Sequence, residues 1–187
     1  MRDFDEMKLA RVVDACGGID GRVKMQKIVY LLKAMGYDLP FDDFRIRQHG
    51  PFSRAVACSA DVLKGGQILV EEEKAHGTDP HGEPILQYSY IVRDKLKSLI
   101  RESFDIAEPE GKPPVDEVGK ELNEHDRPVL EVAATRVYLE QEDKLSGDAL
   151  EAELSRLKGH LESHFADAKE FLAELRKKGW LETAVCD

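Results

Sequence analysis

Two histidines at helical spacing form the pattern in this chain that comes closest to a metal site. His160 and His164 are four positions apart, so a helix would place both on one face, as in zinc-binding helices. The zinc-protease motif needs Glu directly after the first His, whereas Glu162 follows two positions later. A third ligand is not evident. We therefore predict no metal site and interpret the pair as surface side chains.

A second group of metal-ligand types falls in a Gly- and Pro-rich segment. It consists of His76, Asp79, His81 and Glu83. Loops of this composition hold ligands poorly, because a site needs side chains fixed by rigid elements. This group also favours a solvated loop over a metal centre.

Nucleophile and phosphate motifs are equally thin. Ser53 follows Gly-Pro-Phe and does not stand in a Gly-x-Ser-x-Gly turn, so we interpret it as a helix cap. The glycines of residues 17–21 lack the Gly-Lys-Ser/Thr ending of a phosphate loop. Three cysteines, an odd number without Cys-x-x-Cys spacing, argue against disulfides or a thiolate zinc site. The sequence predicts a non-enzymatic protein without a cofactor.

Basic side chains concentrate in one segment of an acidic chain. The net charge is −10, yet residues 21–64 hold 8 Lys or Arg against 4 Asp or Glu, while residues 65–187 hold 16 against 28. Such asymmetry is typical of a nucleic-acid surface, but repulsion from the acidic part would weaken contacts with phosphates. A solvated basic helix face explains the same pattern equally well.

The elements that must position these residues resemble a helix-turn-helix. Met25, Ile28, Leu32 and Met35 lie on one helical stripe, with Lys24, Lys27 and Lys33 off it, and Gly36 ends the helix. A further helix is predicted after Pro51 or Ser53, with inward residues Val56, Ala60 and Leu63. Residues 67–71 and 85–92 then predict two strands around a Gly/Pro loop, which is a hairpin wing.

We therefore predict a mainly α (α+β) protein in two parts. An N-terminal winged-helix-like domain covers residues 1–107, a Pro-rich linker covers 108–114, and a helical extension that packs on the first domain covers 115–187. Leu96, Leu99 and Ile100 are expected to face inward on a helix that starts at Asp94. No apolar run approaches the roughly 20 residues of a membrane helix, and residues 1–6 lack a signal peptide's apolar stretch, so we expect a cytoplasmic protein.

The same stretch carries a family resemblance. Residues 25–32 read Met-Gln-Lys-Ile-Val-Tyr-Leu-Leu, and residues 49–53 read His-Gly-Pro-Phe-Ser. They resemble the opening motifs of the YwgA-like proteins and of the related Panacea domain of socA-type antitoxins. Two aromatic positions of that motif differ here, at His49 and Phe52. Residues 157–160 and 170–181 resemble the family's C-terminal helix, glycine and hydrophobic finish. The resemblance implies a fold and a prokaryotic, antitoxin-like context, and it implies no activity.

Two binding hypotheses remain open. In the first, the winged helix is an antitoxin-like or adaptor module for a protein partner of toxin or protease-adaptor type. Its small-residue helix face and rim would be Arg45, Arg47, His49, Phe52, Arg54, Ala57 and Asp61. In the second, the domain is a regulator of duplex DNA, with phosphate contacts from Lys24, Lys27, Arg45, Arg47 and Arg54. A homodimer is a further candidate assembly.

Overall fold

Helices and two small antiparallel sheets make up the protein, whose residues 5–78 and 84–182 are described by a computed structural model. The N-terminal elements are α1 (Asp5–Ala15), β1 (Ile19–Asp20), α2 (Arg22–Ala34), β2 (Arg45–Arg47), β3 (Gly50–Phe52), α3 (Arg54–Gly65), β4 (Leu69–Thr78), β5 (Pro84–Val92) and α4 (Asp94–Ser103). The remaining elements are α5 (Val115–Glu124), α6 (Arg127–Gln141), α7 (Gly147–Lys158), a 3-10 helix (Gly159–His164) and α8 (Phe165–Lys177). The fold class is mixed and mostly helical, as the sequence predicts.

The predicted hairpin is present and belongs to a three-stranded sheet, but its first strand covers Leu69–Thr78 and not residues 67–71. Its strand order is β1-β5-β4, and both pairings are antiparallel. Ile19 of β1 pairs with Tyr90, and Leu69 of β4 pairs with Val92. The buried side chains of this sheet thus line the side on which α1 and α3 pack. Residues 79–83, including Asp79, His81 and Glu83, lie outside the described residues.

Helix α3 forms where the local signals place it. Ser53 is the N-cap, and its Oγ accepts a hydrogen bond of 3.0 Å from the N–H of Val56. Val56, Ala60 and Leu63 are buried, as predicted. The prediction of a helix after Ser53 is confirmed.

Helix α2 corrects the expected exposure of its lysines. Every residue from 24 to 32 is buried, because α1, α3, α5, α6 and β3 all pack around this helix. Lys24 and Lys27 were expected off the buried stripe, and this expectation is wrong. The middle of α2 is therefore a core segment, and Lys24 and Lys27 form no basic face toward solvent.

Two further expectations about side-chain orientation are wrong. Leu99 of α4 is 54% exposed, while Ile100 is fully buried. His160 and His164 do not share an α-helical face, since they lie in the 3-10 helix and Leu161 between them has a non-helical φ of −115°. A 3-10 helix has about three residues per turn, so positions four apart diverge.

The C-terminal helices pack on the N-terminal half. Helix α5 contacts α1 and α2, and α6 contacts α2. The segment 108–114 lies against the N-terminal half too, since the hydroxyl of Tyr37 donates to the carbonyl of Pro113 and the ammonium of Lys112 donates to that of Met35. The division into two domains stays a prediction. No helix within the described ranges is long and apolar enough to cross a membrane.

Candidate functional site

The Gln-Lys pair of α2 holds the segment that leads into α3. Gln26 Nε2 donates to the carbonyl of Ser53 at 2.9 Å, and the Ser53 N–H donates back to Gln26 Oε1 at 2.8 Å. Lys27 Nζ donates to the carbonyl of Pro51 at 2.5 Å. These buried bonds join residues 24 to 27 positions apart in the chain. The Gln-Lys and Gly-Pro-Phe-Ser motifs are thus two halves of one clamp.

Asp43 completes the cap of α3. Ser53 Oγ donates to Asp43 Oδ1, and the N–H of Ala55 donates to Oδ2 at 3.1 Å. Burial works against ionisation of this carboxyl, but these hydrogen bonds hold the pKa of Asp43 below its ordinary value. The start of α3 therefore carries a carboxylate, which suits the positive end of the helix dipole.

A buried charge cluster lies under the β2–β3 turn. Lys158 Nζ is 2.7 Å from Glu131 Oε1 and donates to the carbonyl of Gln48 at 2.7 Å. His49 Nδ1 lies 3.6 Å from the same Glu131 oxygen, but half of its side chain is exposed. Lys27 is only 1% exposed. Desolvation lowers the pKa of Lys27 to about 7, with Glu131 opposing the shift and Lys158 adding to it.

A groove opens between α2, α3 and the β2–β3 turn, and it has a volume of about 310 Å³. Its apolar lining residues are Val23 and Met25 of α2, Val56 and Ala60 of α3, and Phe52, which is 37% exposed. Arg22, Gln26, Lys27, Arg47, Gln48, His49, Gly50 and Ala57 complete the lining. The groove is therefore apolar inside and cationic at its edge.

Contacts with the sheet hold Arg22 at the edge of this groove. Its Nε donates to the hydroxyl of Tyr90 at 2.9 Å, and one Nη donates to Asp61 Oδ1 at 2.7 Å. The Tyr90 hydroxyl in turn donates to Glu71 at 2.5 Å, and Lys64 pairs with Glu71. The guanidinium is thus positioned before anything binds.

The structure brings together only part of the predicted binding set. Arg47, His49, Phe52 and Ala57 line the groove, whereas Arg45, Arg54 and Asp61 do not. Arg45 donates to the carbonyl of Phe44 at 2.7 Å and borders a different pocket. Arg54 is exposed at the first turn of α3. Asp61 engages Arg22.

Lys24 and Lys27, the two lysines proposed as phosphate contacts, form hydrogen bonds within the protein instead. Lys24 Nζ donates to the carbonyl of Asn123 at 2.6 Å, and Lys27 belongs to the clamp described above. Sequence reasoning missed Arg22, Val23 and Met25 as groove residues. The available signal was the adjacent Gln-Lys motif, which marks this part of α2 as special.

Other chemistry-bearing groups stay apart. No cluster of three or more His, Cys, Asp or Glu side chains suited to a metal occurs among the described residues. Cys16 is buried, and desolvation raises the pKa of its thiol to about 12, so it stays protonated. Cys58 is an exposed free thiol on α3.

Comparison with known proteins supports the YwgA-like resemblance. The chain is 26% identical over 143 residues to the uncharacterized protein YwgA of Bacillus subtilis (strain 168), a match that covers 75% of this chain and 79% of YwgA. No family model matches the chain, and no solved structure matches it. The relationship to the Panacea domain stays a prediction.

Proposed function

We propose that this protein is a non-enzymatic binding module whose groove docks a segment of a partner protein. The observation that carries the proposal is an apolar groove with a partly exposed aromatic wall, Phe52, and a cationic edge. Sites that take partner side chains are concave, mostly apolar and bordered by a few polar groups. Aromatic and arginine side chains are also the most frequent anchors of protein interfaces.

The proposal includes the winged-helix-like domain predicted for residues 1–107. Its support is the element order α1, β1, α2, α3, β4, β5, with β1 added to the β4–β5 hairpin at the β5 edge. A helix-turn-helix with an attached hairpin is the general plan of such domains. The β2–β3 hairpin between α2 and α3 is an insertion into this plan, and it forms one wall of the groove.

The role we propose is antitoxin-like or that of an adaptor. An apolar groove on a helical domain suits capture of a segment from a toxin or from a protease substrate, and such capture requires no catalytic residues. The identity of the captured partner distinguishes the two roles. A toxin encoded beside this gene would favour the antitoxin, and a protease subunit would favour the adaptor.

Duplex-DNA binding is the alternative, and exposed Arg45, Arg47 and Arg54 favour it. Lys24 and Lys27 no longer support it, because their ammonium groups are bound inside the fold. With these three arginines and a chain charge of −10, we expect only non-specific affinity, with Kd of roughly 10⁻⁴ to 10⁻⁶ M at physiological salt.

Site-specific photo-crosslinking in the native cytoplasm tests the proposal. Benzoylphenylalanine replaces Ala57, which lines the groove, or Ala152, an exposed alanine of α7 that serves as the matched control. We expect a partner protein crosslinked from position 57 and not from position 152. The purified partner should then bind the natural chain and lose binding to Ala57→Trp, which fills the groove, but not to Ala152→Trp.

Three outcomes would contradict protein docking. Equal crosslinking from both positions would mean that the groove has no special role. A partner that binds Ala57→Trp as well as the natural chain would place its site elsewhere. Crosslinks mainly to nucleic acid from position 57, together with tight sequence-selective binding of duplex DNA, would favour the regulator. A crosslink to a second copy of this chain would show that the groove mediates a homodimer.

A further inference from the structure

Charge is distributed unevenly around the groove. The charged or titratable side chains that line it are Arg22, Lys27, Arg47 and His49, and none of the described lining residues is Asp or Glu. Building on the proposed docking function, we infer that the groove takes a segment in which an apolar side chain is flanked by Asp or Glu carboxylates.

The apolar part of the groove sets the first requirement. With a volume of about 310 Å³, the groove has room for several water molecules. Val23, Met25 and Val56 offer these waters few hydrogen bonds, so an apolar side chain that displaces them is favoured. Phe52 stands partly exposed at the wall, where it can cover the inserted side chain.

The edge of the groove sets the second requirement. The side chain of Arg47 is exposed and forms no hydrogen bond or ion pair within residues 5–78 and 84–182. Arg22 is held in place by Tyr90 and Asp61. A guanidinium offers a planar fork of donors that matches a carboxylate, and a positioned one loses little freedom on binding. One free arginine and one positioned arginine therefore favour carboxylates beside the apolar anchor.

The acidic remainder of the chain does not overturn this preference. At physiological salt the Debye length is about 8 Å, so a bound carboxylate responds mainly to charges close to the groove. Residues 21–64, which supply the whole lining, hold 8 Lys or Arg against 4 Asp or Glu. The distant acidic helices slow the encounter of an acidic partner more than they weaken the docked state.

A polypeptide segment fits these observations better than nucleic acid does. The groove is too small for a duplex, and its interior offers apolar surface where a phosphate backbone needs cations. A single-stranded base that stacks on Phe52 is the competing occupant, and the experiment below includes it.

Selection from a displayed library of short random peptides tests the inference on the full chain. We expect the selected peptides to carry an apolar residue next to Asp or Glu. Fluorescence anisotropy then measures the affinity of one selected peptide. Arg47→Glu should weaken its binding by about tenfold or more, because the reversal places like charges together. Arg54→Glu, the same change at an exposed arginine outside the groove, should weaken it by less than about twofold.

The outcomes separate this inference from the proposed function. If Ala57→Trp abolishes peptide binding but the selected peptides are neutral or basic, or Arg47→Glu binds them equally well, the groove docks peptides and the carboxylate preference is wrong. If binding of every selected peptide survives Ala57→Trp, the docking function itself is wrong. In a competition assay, a mixed-sequence single-stranded oligonucleotide is compared with unlabelled peptide. If the oligonucleotide displaces the labelled peptide at a lower concentration than unlabelled peptide does, the groove binds nucleic acid and the peptide inference is wrong.

Discussion

Gly50 offers a direct test of how the β2–β3 turn is fitted onto the buried charge cluster. Its φ is +83°, and a Cβ at this position would lie 2.5 Å from Thr135 Oγ1. Thr135 is buried in α6, and its hydroxyl donates to the carbonyl of Glu131 at 2.7 Å. The substitution Gly50→Ala therefore combines backbone strain with a steric conflict against a fixed atom.

The two contributions can be estimated separately. A non-glycine residue at positive φ costs about 1–2 kcal/mol. Extra volume forced into a packed interior costs typically about 1–3 kcal/mol. Gly50→Ala should therefore lower the free energy of unfolding by about 2–5 kcal/mol. Gly17 has a φ of +71° with no atom near a built Cβ, so Gly17→Ala should show the backbone contribution alone.

Urea unfolding followed by far-UV circular dichroism measures both variants. The difference between Gly50→Ala and Gly17→Ala should be about 1–3 kcal/mol, which corresponds to a midpoint shift on the order of 1 M urea for a small protein. Thr135→Ala alone should cost about 1 kcal/mol, through loss of its hydrogen bond to Glu131. Combined with Gly50→Ala, it should restore most of the steric contribution, because the conflicting oxygen is gone.

Two outcomes of the double-mutant comparison would contradict the predicted steric conflict between Gly50→Ala and Thr135. Equal destabilisation by Gly50→Ala and Gly17→Ala would show that the turn can move away from α6. Strict additivity of Gly50→Ala and Thr135→Ala would show that the two groups are not in contact. Either result would remove the close fit between the β2–β3 turn and the helix beneath it.

Two further predictions concern the clamp on α2. The folded protein lowers the pKa of Lys27 to about 7 from an unfolded value of about 10.4, so the unfolded chain binds more protons between these values and stability rises with pH there. Between about pH 7 and about pH 9, the free energy of unfolding of the natural chain should rise by roughly 2 kcal/mol relative to that of Lys27→Met. The control Lys120→Met, at an exposed lysine, should show the same pH dependence as the natural chain. Parallel pH profiles for the natural chain and Lys27→Met would contradict the prediction. Gln26→Ala leaves the buried N–H of Ser53 without a partner, while the C=O of Ser53 still accepts from the N–H of Ala57. It should cost roughly 1–3 kcal/mol in urea unfolding, against less than about 0.5 kcal/mol for exposed Gln48→Ala. Equal costs for these two glutamine variants would show that the clamp contributes nothing.

Much of the fold could be predicted because its signals are local. Ser53 caps α3, and residues 67–71 and 85–92 have strand composition around Gly and Pro. Each of these signals acts within a few residues of the element it begins or ends. A single sequence is enough to detect them.

The burial of Lys27 could not be predicted because its cause is not local. Its hydrogen-bond acceptor, the carbonyl of Pro51, is 24 residues away, and Glu131 is more than 100 residues away. Periodicity assigns a lysine to solvent unless such partners are known. For the same reason the sequence indicated the groove residues Arg47, His49, Phe52 and Ala57 but missed Arg22, which the sheet holds in place.

The clamp between α2 and the β2–β3 turn maintains the fold, whereas other residues of the groove are available to contact the partner. Gln26, Lys27 and Gly50 act on the backbone of the protein itself, so descendants of one ancestor should keep them whatever they bind. The exposed side chains of Arg47 and Phe52 contribute little to the fold, so they can change from one homologue to another as the partner changes. A search that matches only the Gln-Lys and Gly-Pro residues should therefore find homologues that share this fold but bind different partners. The residues at the groove edge should distinguish these homologues by partner.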